Sequence, residues 1–276
     1  MLSGRVEEER SPGGVELRSA REAGNSGEAE ARARIDWRSL TEVVPAGLEL
    51  MPMTTIMRQA FELVGNAADA HGFVAASGVT QARLREARIP LQIRERSAEQ
   101  GVLPPTELSQ SQRRWLGQLA LGLYFVQLFR SDTALVDLWP SRWGIDATGD
   151  AVWAPRPLYV RWDPVFLNAV RDVYSGYFGD DDPSFRSGLE RLRLGAAGEV
   201  LLRHLGGGHQ RSVRFRANDL QTTLREIVSH RPSHANGLHR NFVPFGLYLA
   251  SLHELLASLD LAFDVRGAFM RATAAR

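Results

Sequence analysis

The stretch Leu135–Pro164, LVDLWPSRWGIDATGDAVWAPRPLYVRWDP, limits the folds open to this chain more than any other. It holds four of the six tryptophans (Trp139, Trp143, Trp153, Trp162) and four of the thirteen prolines. Aromatic and β-branched residues at this density, broken by prolines, predict short strands and loops. Leu135–Leu138 reads as a short buried strand. Arg142–Asp146 and Asp150–Ala154 flank Ala147-Thr148-Gly149, a hairpin turn with glycine placed for a positive backbone angle.

The segments around this insert read as helices. Ser109 can cap a long helix to about Phe129. Its run Trp115–Phe129 is shorter than the ~20 residues a membrane span needs, so it predicts a central core helix. Asp163-Pro164 pairs a cap residue with proline at the first helical position, and Phe166, Val170, Val173 and Tyr177 follow at helical intervals. Asp182-Pro183 repeats the signal for a shorter helix through Leu194. Ala196–Leu205, Asn218–His230, Pro244–Leu259 and Asp264–Thr273 predict a helical C-terminal half. Upstream, Ile56, Phe61, Val64 and Ala68 predict a helix from Thr54 to about Ala75, and Gly78–Pro105 reads as a short exposed helix plus loop.

The expected class is therefore mainly α with a small β-hairpin insert. Residues 1–34, rich in Glu, Arg, Gly and Ala, read as a disordered tail. Residues 35–108 read as a helical and irregular segment, and 109–276 as the helical domain.

Two absences narrow the chemistry. There is no cysteine, which excludes disulfides, thiolate metal sites and thiol catalysis. There is also no lysine: all 33 basic residues are arginine, in keeping with a GC-rich coding bias. That excludes the phosphate-loop lysine, Schiff-base chemistry and the kinase lysine that pairs with ATP phosphates. A net charge of +1 gives no electrostatic case for nucleic acid or an acidic membrane. With no apolar leader in residues 1–34, a cytoplasmic location is expected.

Six of the seven histidines lie in the last third, at His204, His209, His230, His234, His239 and His253. His230, His234 and His239 form the candidate metal cluster, since imidazole is a common ligand for zinc, iron and copper. Pro232 argues against His230 and His234 sharing a helix face, and His253-Glu254 lacks a second histidine at metalloprotease spacing. Gly206-Gly207-Gly208 resembles a phosphate loop only in its glycines, and Asp180-Asp181-Asp182 lacks calcium-loop spacing.

A long apolar helix, a short strand with Asp137, a proline loop, a hairpin and a capped helix follow one another from Ser109. This order resembles the C-terminal lobe of a protein kinase, specifically the UbiB/AarF-type atypical kinases of ubiquinone biosynthesis. In that family a catalytic loop Asp-x-His-Pro-Gly-Asn precedes a hairpin and then the metal-binding Asp-Phe-Gly. Asp137-Leu138-Trp139-Pro140-Ser141-Arg142 falls on the loop, and Pro155-Arg156-Pro157 falls where Asp-Phe-Gly belongs. The ending NFVPFGLYLASLHELLASLDLAFDVRGAFMRA resembles the family's final helices, so the likeness spans roughly Ser109–Ala274.

The resemblance implies that Asp137 holds the position of the catalytic base. It also implies that Arg142 replaces the asparagine ligand of magnesium and Pro155 the aspartate ligand. The expected protein is then a pseudokinase-like interaction module that binds a protein partner and uses no cofactor. Plainer readings stand beside it. Asp137 can be a buried hydrogen-bond acceptor, Arg142 can pair with Asp137 in place of the metal or lie on the surface, and the tryptophans can be packing. A helical scaffold with no kinase ancestry and a histidine-ligated metalloprotein are the alternatives.

Overall fold

The computed structural model describes residues 66, 69–94, 102–194, 212–216, 219 and 239–274, all within the compact unit Thr41–Arg276. Its helices are α1 (Ala70–Glu86), α2 (Gln110–Arg130), α3 (Pro164–Gly179), α4 (Asp182–Arg191), α5 (Phe242–Ser258) and α6 (Val265–Ala274). The strands are β1 (Leu91–Ile93), β2 (Thr133–Leu135), β3 (Trp143–Ile145), β4 (Ala151–Trp153), β5 (Tyr159–Arg161), β6 (Val213–Arg214) and β7 (Ala262–Phe263). The protein is mainly helical with small sheets. Among the described residues no helix is long and apolar enough to cross a membrane.

α2 is the axis of the core. Ser109 and Gln112 form a reciprocal capping box at its start, and Leu116–Leu128 is buried except for Gln118. Helix α6 lies along it, with Phe269 edge-on to Phe125 and Phe129. From α3, Tyr174 reaches α2 through a hydroxyl–hydroxyl bond of 2.7 Å to Tyr124. Burial raises the pKa of both phenols. Tyr248 of α5 packs against Tyr124 with ring centroids 4.8 Å apart.

The hairpin forms where the sequence predicts it. β3 and β4 pair antiparallel, with Trp143 opposite Trp153 and Gly149 at φ 89° in the turn. Asp146 fixes that turn, because its Oδ1 accepts from the Thr148 hydroxyl and from the amides of Thr148 and Asp150. Those bonds, led by the Thr148 hydroxyl and aided by Arg94, hold its carboxyl down at about 2. Asp163 caps α3 through the amides of Val165 and Phe166, with Pro164 in the first turn.

Four boundaries differ from the sequence reading. α1, capped by Asp69, runs from Ala70 through Gly78 to Glu86, past the predicted helix end near Ala75, while almost all of the predicted helix before Asp69 lies outside the described residues. Gly78 faces open space, so a single glycine does not break the helix there. The predicted loop contains β1, which pairs parallel with β4 and widens the hairpin to three strands. The predicted strand at Leu135–Leu138 is instead β2, Thr133–Leu135, paired antiparallel with β5. Asp181, not Asp182, caps α4 by accepting from Ser184. The tail 1–34, the positions Ile56, Phe61 and Val64, and the segment Ala196–Leu205 lie outside the described residues, as does all but Asp219 of Asn218–His230.

Candidate functional site

Asp137 lies two residues beyond β2, at the open end of the hairpin, and is fully buried. Two indoles hold the loop backbone in place. Trp153 Nε1 donates to the Asp137 carbonyl at 2.9 Å and Trp143 Nε1 to the next carbonyl, Leu138, at 3.2 Å. The two rings stack across the hairpin with centroids 5.6 Å apart. From the other side, Ser251 of α5 bonds the Val136 carbonyl at 3.1 Å and accepts the Leu138 amide at 3.3 Å. Hairpin and α5 thus position the Asp137 carboxylate with no ligand needed.

Two arginines meet that carboxylate. Arg156 grips it by three donors: its backbone N–H and Nε bond Oδ2 at 2.7 and 2.9 Å, and Nη2 bonds Oδ1 at 2.7 Å. This is the bidentate fork geometry in which arginine–carboxylate pairs are strongest. Arg142 brings its Nε within 3.4 Å of Oδ2, and its side chain is almost as buried as Asp137 itself. The hairpin explains the convergence. Arg142 precedes β3, the Ala154 amide bonds the Arg142 carbonyl at 2.9 Å, and Arg156 follows two residues later. Both arginines therefore arrive where the two strands open toward Asp137.

A carboxylate acting as general base must aim a lone pair at a substrate hydroxyl. Here the oxygens of Asp137 are aimed at guanidinium and backbone donors. Nor do these residues suit the magnesium of a kinase site. That ion takes oxygen ligands, Arg142 and Pro155 offer no side-chain oxygen, and two guanidinium charges beside one carboxylate repel a cation. The cluster is a buried, charge-paired structural knot.

Of the residues singled out from sequence, Asp137 and Arg142 are brought together. They form an ion pair, but the stronger partner of Asp137 is Arg156. In the sequence, Pro155-Arg156-Pro157 stands out only for the ligand lost at Pro155. The available signal was an arginine at the hairpin's exit, in step with Arg142 at its entrance. Three of the four tryptophans, Trp143, Trp153 and Trp162, are core residues.

The histidine cluster is not assembled by described residues. His230 and His234 lie outside them, and no group of three His, Asp or Glu among the described residues could hold a metal ion. His239 stacks on Phe166 with centroids 5.1 Å apart, and its Nδ1 accepts the Asn241 amide at 3.1 Å. Its Nε2 faces Asp163 at 3.8 Å. The ring thus serves the start of α3, and burial lowers its pKa despite that carboxylate. Asp180 ends α3 in a left-handed conformation and Asp181 caps α4, so the acidic triplet serves a helix junction. Gly206-Gly207-Gly208 is outside the described residues. No protein-family model matches the sequence, and no curated protein matches it.

Proposed function

We propose that this protein is a catalytically inactive kinase-like module of the UbiB/AarF type, acting through interactions with a protein partner. The supporting pattern is the order α2, β2, Asp137 loop, hairpin, Pro155-Arg156-Pro157, β5, α3, which parallels that family's catalytic lobe. The observation that carries the inactivity is the seizure of Asp137 by Arg156 and Arg142. Arg156 donates three hydrogen bonds to that carboxylate and Arg142 lies beside it, an arrangement that disfavours both proton abstraction from a substrate and a bound magnesium ion.

The test is thermal melting with Mg-ATP, with phosphoryl transfer to a generic acceptor measured in parallel. A ligand that binds only the folded state raises the midpoint. No shift and no transfer are expected, whereas a saturable rise with Mg-ATP overturns the reading of inactivity. A second experiment separates a kinase-like frame from an unrelated helical scaffold. The combined variant Arg142→Asn, Pro155→Asp, Arg156→Phe places an amide oxygen and a carboxylate where the family carries its magnesium ligands, beside Asp137 at the position of the base. In a kinase-like frame it gains magnesium-dependent stabilisation, and in an unrelated scaffold it gains none.

A further inference from the structure

Beyond the Asp137 knot, the described surface holds one cleft whose chemistry is consistent throughout. It lies between the N-terminal half of α2, β7 and α6, has a volume of about 490 Å³, and is lined by Arg114, Gln118, Ser212, Ala262, Asp264 and Arg271. Ala262 is the only apolar residue in its lining, and the others carry charged or hydrogen-bonding groups.

The polar groups are arranged to donate. Gly267 N–H bonds Asp264 Oδ1 at 2.7 Å, and Asp264 Oδ2 faces Arg271 Nη1 at 3.8 Å. Arg271 Nη2 in turn donates to Gln118 Oε1 at 2.7 Å. This chain fixes the Arg271 guanidinium and consumes the amide oxygen of Gln118, leaving its NH₂ as a donor. It also sets the single carboxylate against Arg271 and the N-terminal end of α6, where the helix dipole favours negative charge. A Cβ at Gly267 would push the Asp264 carboxylate out of this position. Arg114 is different: it is exposed, and among the described residues it makes no hydrogen bond or ion pair. The cleft therefore presents the Arg271 guanidinium beside the Asp264 carboxylate, the unpaired Arg114 guanidinium, an amide NH₂ and the Ser212 hydroxyl, with positive charge in excess by one.

We propose that this cleft binds a phosphate monoester of a small polar molecule, with Arg114 and Arg271 clamping the phosphate oxygens. Three acceptor oxygens on a dianion suit several donors and a surplus positive charge better than a carboxylate does. The volume exceeds that of a bare phosphate and leaves room for the esterified group. The site does not depend on the kinase-like reading. Arg114 and Gln118 lie in the first half of α2, whereas Asp137 follows that helix's C-terminal end.

The test is isothermal titration of the full chain with inorganic phosphate, glycerol phosphate and acetate at matched ionic strength. Saturable binding of both phosphates, tighter for the ester, and no saturation with acetate at about 10 mM are expected. Arg114→Gln should weaken glycerol phosphate at least about tenfold, the worth of one lost charge-assisted contact, and leave the melting temperature of the free protein unchanged. Arg271→Gln should weaken it similarly. Absence of saturation with either phosphate overturns the proposal. So does equal binding of acetate, or affinity that survives Arg114→Gln. Tighter binding of free phosphate than of the ester refutes the esterified ligand.

Discussion

The side-chain amide of Gln127 holds Leu135 by both of its backbone groups. Leu135 N–H donates to Oε1 at 2.7 Å, and Nε2 donates to the Leu135 carbonyl at 3.3 Å and to the Tyr248 hydroxyl at 2.8 Å. Among the described residues β2 has β5 on one side only, and a core glutamine bonds its backbone on the other. Gln81 does the same for β1, accepting the Ile93 amide and donating to the Leu91 carbonyl, both at 3.0 Å. Each short strand thus has its outward backbone groups satisfied from a helix, as buried edges require.

Removing these amides should therefore cost unequal amounts. Gln127 is buried, so Gln127→Met leaves an N–H and a C=O of Leu135 without water and should cost about 2–4 kcal/mol. Gln81 is only half-buried, so water can replace its amide and Gln81→Met should cost about 1 kcal/mol. Urea denaturation of both variants checks the ranking. Equal losses would mean that the core amide is not satisfying those groups.

These glutamines also mark the limit of what the sequence reveals. The Ser109 cap, the Ala147-Thr148-Gly149 turn and Asp163-Pro164 are local signals, each settled within a few residues, and α2, the hairpin and α3 formed accordingly. β1 has three residues, and its partner β4 lies 60 positions away, as with Leu91 opposite Ala151. Nothing local announces such a pairing. The same holds for the site. Asp137 could be singled out as the lone acidic residue of its loop, but which arginine would grip it depends on how the hairpin closes.

The Asp137 knot predicts a characteristic mutational pattern. Asp137→Ala removes the buried carboxylate that both arginines meet and should cost about 3–5 kcal/mol. Arg156→Ala should cost less, about 1–3 kcal/mol, because Arg142 stays near the carboxylate. Replacing all three together, with Asp137→Leu, Arg142→Met and Arg156→Met, should recover most of the Asp137→Ala loss, since an apolar core avoids desolvating charge. Guanidinium denaturation with an unchanged m-value is the measurement. Failure of the triple replacement to outperform Asp137→Ala would refute the view of the knot as a replaceable structural unit.

His253 makes stability fall in mild acid. It is buried on α5 with Phe215 edge-on at 5.4 Å, and its Nε2 lacks a hydrogen-bond partner among the described residues. Burial, opposed by the Asp219 charge, pulls its pKa from 6.5 to about 4. The unfolded chain therefore takes up the proton first. This residue's contribution is complete above pH about 6.5 and is lost as pH falls toward 4. At pH 5 the loss should be about 2 kcal/mol. His253→Leu should be near neutral at pH 7.5 and more stable than the parent at pH 5. A wild-type-like pH dependence in that variant would rule out the assignment.

Two glycines set the α3–α4 contact, whereas Gly78 does not constrain its surroundings. A Cβ on Gly176 of α3 would lie 2.5 Å from the Phe185 amide nitrogen and 2.7 Å from the Asp181 carbonyl oxygen. On Gly188 of α4 it would meet the Ala169 carbonyl oxygen at 2.8 Å and the Val173 nitrogen at 2.9 Å. Backbone cannot yield as a side chain can, so Gly176→Ala and Gly188→Ala should each cost about 1–3 kcal/mol by forcing the helices apart. At Gly78, inside α1, an added Cβ meets nothing within 4 Å. Gly78→Ala should therefore stabilise by about 0.5–1 kcal/mol through helix propensity alone. Thermal melts of the three variants decide the matter: a destabilised Gly78→Ala would show that this face of α1 is covered, and a neutral Gly176→Ala would show that α3 and α4 are not in backbone contact.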